Sequence, residues 1–193
     1  MTVRAANVAV KVAFAALVVF VAVRSDLPQL QGKAVPLRLV TYPLAALLVP
    51  FVWWLRGRPR PYPHDVDALL AAPFAIDLAG NVADLFDTVT WWDDANHFVN
   101  WGLLVAAAGR LLRRTPVSRR VAIGLAIGFG AVTAMLWEFG EYLTFVQNSA
   151  ERFTAYRDTM GDEALGLAGS VVGAVLSTAG RPARKAGSAR VSA

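Results

Sequence analysis

Fourteen Asp and Glu and two His occur in this chain of 193 residues, and most of the acids stand in short strings beside or inside apolar runs. Asp77, Asn81 and Asp84 are spaced i, i+4 and i+7, which makes one stripe on a helix, and Asp87 and Thr88 continue it. Asp94 stands three residues before His97, and Asp93 four before it. Glu138 and Glu141 are three apart beside Trp137, and Asp158 and Asp162 are four apart. Such spacings put each pair on one helix face. Asp77, Asp84, His97, Glu138 and Glu141 are therefore candidate catalytic groups. Asp94, His97, Glu138, Glu141, Asp158 and Asp162 are candidate metal ligands.

Carboxylates crowded at low dielectric cannot all ionise unaided; a cation or shared protons must compensate them. An oxygen-rich set with one imidazole suits a divalent ion such as Mg, Mn or Zn, which activates water or clamps a phosphate. Several other chemistries are excluded. With no cysteine, thiol catalysis, thiolate metal sites and disulfides are ruled out. There is no H-E-x-x-H, no Glu-x-x-His pair of the four-helix di-iron kind, no phosphate-binding G-x-x-x-x-G-K-[ST], and too few histidines for a histidine-box desaturase. Asp77, Gly80, Asp84 and Asp87 do not match the CDP-alcohol phosphotransferase signature in spacing, and its Ala-Arg is missing.

Each string also has a plain structural role. Asp77, Asn81 and Asp84 would serve as hydrogen-bond glue between helices. Asp93, Asp94, Asp158 and Asp162 would serve as caps or first-turn residues. Glu138 and Glu141 would be solvated at an interface, and His97 a hydrogen-bonded helix residue. His64, in a basic loop, reads as incidental. Gly124 with Gly128, and Gly169 with Gly173, read as small-residue packing faces. Ionisable groups inside an apolar run are costly and usually functional, which favours a site.

The elements that carry these residues are apolar. The chain is 56% hydrophobic and 17% charged, against about 25% charged for a soluble domain. This predicts an all-α polytopic membrane helix bundle of about six spans: Ala5–Val23, Pro36–Leu55, Asp67–Phe86, Ala95–Leu112, Val121–Phe145 and Asp162–Ala179. The first reads as a retained helix whose Lys11 snorkels to the near interface. Pro43 and Pro50 kink the second. Residues 1–180 form one transmembrane domain, and 181–193 a disordered basic cytoplasmic tail.

With six spans both termini lie on one side, and that side holds 14 of the 19 Lys and Arg. The positive-inside rule makes it the cytoplasm of a bacterial inner membrane. The net charge of +5 thus reflects orientation in the bilayer; nucleic acid is not an expected partner. Spans three and five then run outward with their acids late, and spans four and six run inward with theirs early. All four acidic groups reach one level, at the outer leaflet.

Three strings in order are D-L-A-G-N at Asp77–Asn81, W-W-D-D-A-N-H-F at Trp91–Phe98, and W-E-F-G-E at Trp137–Glu141 followed by D-T-M-G-D at Asp158–Asp162. Over about Asp67 to Ala179 the chain resembles the YjdF-like family of bacterial integral membrane proteins, and less closely the VanZ-like membrane proteins. Asn96 departs from that likeness, which implies a location and a site and no particular reaction. Three functions compete. One is a metal-assisted hydrolase or transferase acting on a lipid head group. The second is a proton- or cation-coupled small-solute transporter, and the third a non-catalytic membrane module. Clustering near one face favours the enzyme.

Overall fold

The computed structural model describes residues 1–144 and 146–179, and among these there is helix and no strand. The α-helices are, in order, α1 (Val3–Val23), α2 (Val35–Ala46), α3 (Leu48–Leu55), α4 (His64–Val82), α5 (Leu85–Thr88), α6 (Trp92–Leu112), α7 (Arg119–Thr144) and α8 (Ala155–Ser177). The basic tail 181–193 and Phe145, the end set for the fifth span, lie outside the described residues.

By length and composition, α1 and the helix that begins at Arg119 suffice to cross a membrane, and the α2–α3 pair makes a third span if taken as one broken helix. That pair bends by 41° where Pro43 and Pro50 remove backbone donors on either side of Leu47. Helices α4, α6 and α8, at 19, 21 and 23 residues, are long enough but carry the polar stripes, and fall short in composition. Their polar faces turn inward: Asp77, Asn81, Asn96, His97 and Asp162 are all buried.

Glycine sets the distance between α6 and α8. A methyl on Gly169 would strike the carbonyl of Phe98, and one on Gly173 the carbonyl of Gly102. The two backbones therefore touch, and α8 is held one turn from His97. Gly130 of α7 likewise leaves room for Ser170 and Val105. Gly124 and Gly128 differ, for nothing lies within 4 Å of a side chain built there. Their packing role within the chain is not realised.

Helix α1 leans on α4 through an apolar cluster that includes Phe14, Val21, Ala71 and Leu78. Two residues gain partners near the amino-terminal ends of α1 and α4. Lys11 is not a free charge: its Nζ lies 2.7 Å from Asp67 Oδ1 and donates to the carbonyl of Ala46 at 2.8 Å. Asp67, buried in the first turn of α4, is its counter-charge, and Lys11 itself stays partly exposed. His64 is not incidental either, because its Nδ1 stands 3.1 Å from Asn7 Nδ2, which also donates to Asp67 Oδ2 at 2.9 Å. Tyr62 donates to the same oxygen at 2.7 Å. Burial, and then the bond to Asp67, push its phenol well above the ordinary range.

Candidate functional site

His97 is the hub. It sits in the second turn of α6 and is 8% exposed. Its Nε2 lies 3.6 Å from Asp93 Oδ1 on the same helix and 3.8 Å from Asp162 Oδ1 on α8. Its Nδ1 lies 3.8 Å from Glu138 Oε1 on α7. Two triads result, Asp93–His97–Asp162 and His97–Glu138–Glu141, in each of which one ligand atom per residue lies within 4.8 Å of the others.

These separations are informative. An N–H···O hydrogen bond spans about 2.7–3.2 Å, and every contact of the ring to these acids is longer. Two ligands each about 2.1 Å from one ion stand about 3.4 Å apart at the tetrahedral angle and about 3.8 Å at wider angles. The side chains therefore stand at the spacing of co-ligands. In keeping with this, His97 Nδ1 is buried and has no hydrogen-bond partner.

The site opens on a cavity of about 910 Å³ lined by residues that include some from α2, α4, α6, α7 and α8. Asp93, His97, Glu141 and Asp158 line it, as do Asp77 and Asn81 of α4. Asp77 is held by three groups. Arg38 forms an ion pair with its Oδ2, Tyr42 donates to that oxygen at 2.9 Å, and Asn81 reaches it at 3.4 Å. Tyr42 also packs against Phe74 and Trp137, at 4.9 and 6.4 Å between ring centres, which closes α2 onto α4 and α7. Along the α6 wall Asn100 donates to Asn96 Oδ1 at 2.6 Å.

Some candidate residues lie elsewhere. Asp84 falls off the Asp77–Asn81 stripe because α4 ends at Val82; Asp84 adopts φ 59° and starts α5. It neither joins a triad nor lines the cavity. Asp94 is exposed and in neither triad, and Asp93, one full turn before His97, takes the place given to it. Asp158 lines the cavity without joining a triad. Arg38 and Tyr42 escape a reading of acids and imidazoles. Their signal is a lone Arg inside an apolar run, four residues before a Tyr.

A family model described as a predicted membrane protein, DUF2238, matches residues 6–181. The chain belongs to the DUF2238 family. The matched range takes in every residue of both triads and of the Asp77 group. The YjdF-like resemblance is consistent with DUF2238, whereas a likeness to VanZ-like proteins is not shown. No curated protein and no solved structure matches the chain.

Proposed function

We propose that this DUF2238 protein is a six-span inner-membrane enzyme, both termini cytoplasmic, that uses a divalent ion to hydrolyse or transfer a lipid head group at the outer leaflet. The observation that carries this reading is the His97 ring. Carboxylates from α6, α7 and α8 surround both of its nitrogens at co-ligand spacing, and one nitrogen is buried without a partner. A divalent ion neutralises two of the crowded carboxylates and supplies a Lewis acid or an activated water. Mg, Mn and Zn all suit one imidazole with several carboxylates. The adjoining cavity gives a substrate head group room beside the ion, and the apolar exterior of the bundle gives its acyl chains a path.

The test is metal content. Protein purified in detergent without chelator should carry one of these ions, and stripping it should lower thermal stability. Loss of the ion in Glu138→Ala, with helical content retained, supports the assignment; full occupancy in that variant contradicts it.

One observation favours the transporter. A second polar group, Asn7, Lys11, Tyr62 and Asp67, lies at the other end of α4 from the cavity. Polar groups in both halves of the bundle are what a transport path needs. Cation flux into proteoliposomes, abolished by Asp67→Asn, would put that reading ahead.

A further inference from the structure

On the cavity wall away from His97 the cations are paired with acids, Arg38 with Asp77 and Lys33 with Asp87, yet donors are left to spare. Arg38 projects from α2 into the bundle, with 12% of its side chain exposed. Its Nε donates to the carbonyl of Lys33 at 2.7 Å, and its Nη1 donates to Tyr42 at 2.9 Å and to Asp77. A guanidinium has five N–H groups. These bonds occupy those on Nε and Nη1 and fix the plane of the fork, which leaves the two N–H of Nη2 for a ligand. Lys33, at the same cavity, is 2.9 Å from Asp87.

We propose that Arg38 is the seat of a phosphate group, so that the ligand of this cavity is a phosphate ester whose remaining oxygens face the His97 site. This rests on the divalent-ion reading above and names its substrate class. A planar fork oriented in advance is the group that holds phosphate oxygens best. Its placement in a cavity shared with a candidate metal centre is the arrangement that phosphoryl chemistry uses, with cations on both sides of the anion.

Charge adds a condition. Asp77, Asp87, Asp93, Glu141 and Asp158 line the cavity against Lys33 and Arg38. A bare anion is repelled from such a wall. Phosphate therefore binds after the divalent ion, and by reciprocity it tightens the ion's own binding.

The experiment uses full-length protein in detergent, with and without Mn, titrated with inorganic phosphate, with phosphatidic acid in mixed micelles, and with diacylglycerol as the phosphate-free control. The variants are Arg38→Gln and Arg38→Lys. The Lys variant keeps a charge opposite Asp77 where the Gln variant fails to fold. The expected result is a rise in Tm with phosphate or phosphatidic acid in the Mn-loaded protein, none with diacylglycerol, and an affinity about tenfold or more weaker in Arg38→Lys. A response to phosphatidic acid alone makes the ligand a lipid head group; a response to both makes it phosphate as such, and either supports the proposal. Equal affinity in wild type and Arg38→Lys overturns it. Metal binding with no response to either phosphate source overturns it too, and leaves the metal reading intact. Arg38-dependent phosphate binding to a protein that takes up no metal keeps the subsite and removes the metal reading instead.

Discussion

His97 Nδ1 and Glu138 Oε1 face each other across 3.8 Å, and the nitrogen is buried with no hydrogen-bond partner. A free buried nitrogen costs roughly 1–3 kcal/mol. Glu138 is engaged instead by the side chain of Thr159. That gap between the imidazole and the carboxylate is where the proposed ion would sit.

The Arg38–Asp77 pair gives a stability prediction. Asp77 is buried and Arg38 largely so, so removing one partner leaves a poorly compensated charge, at up to about 3–5 kcal/mol. Asp77→Leu should lower Tm strongly, and Asp77→Asn, which can still accept from Tyr42 and Arg38, less. The double variant Arg38→Leu with Asp77→Leu should recover most of the loss. Thermal unfolding of the four proteins in one detergent checks this; additive losses in the double variant would contradict the pairing.

Packing of α6 on α8 gives a second. Gly169→Val drives a side chain into the Phe98 carbonyl and should cost more than the roughly 1–3 kcal/mol of ordinary overpacking. Gly124→Val meets open space and should shift stability by about 0.5 kcal/mol or less. Yield and Tm of the two variants should therefore differ sharply, and equal effects would put the helix contact in doubt.

Much of this was legible in the sequence and some was not. Period-3.6 spacing put Glu138 and Glu141 on one face of α7, and the alternating direction of successive helices brought them to the level of His97 and Asp162. Asp84 was misplaced for the opposite reason: α4 stops two residues short of it, and a left-handed residue resets the phase. Asp93 and Asp94 both lie near His97 in sequence, and only the turn of α6 decides between them. Arg38, Tyr42 and Lys11 were opaque because their partners Asp77 and Asp67 are on another helix, at sequence distances of 39, 35 and 56. Local patterning does not reach so far.

The cluster around Asp67 carries a pH signature. The Tyr62 phenol is raised in the folded protein by burial and by Asp67, whereas in the unfolded chain it titrates near about 10. A raised folded value means the contribution is full below pH about 10 and is lost as pH climbs above it. The Tm difference between wild type and Tyr62→Phe should be constant from pH 7 to 9 and shrink above pH 10. A difference that widens there would contradict the sign.

Topology follows from the basic residues. Reporter fusions after Ala179 and at Arg152 should lie on opposite sides of the membrane, with the first cytoplasmic. Both on one side would contradict the proposed six-span arrangement and its placing of the acidic groups at the outer leaflet.

The account turns on an ion at His97, and elemental analysis of the purified protein, paired with thermal unfolding, tests it most directly. The prediction is a bound divalent ion. Adding Mg, Mn or Zn to stripped protein should raise Tm, by mass action on a site that exists only in the folded bundle. Glu138→Ala, which removes the acid facing the unpartnered Nδ1, should abolish the rise, while Asp94→Ala, exposed and outside both triads, should leave it unchanged. No bound metal, together with no shift from any divalent ion, would contradict the account and leave the carboxylates sharing protons instead.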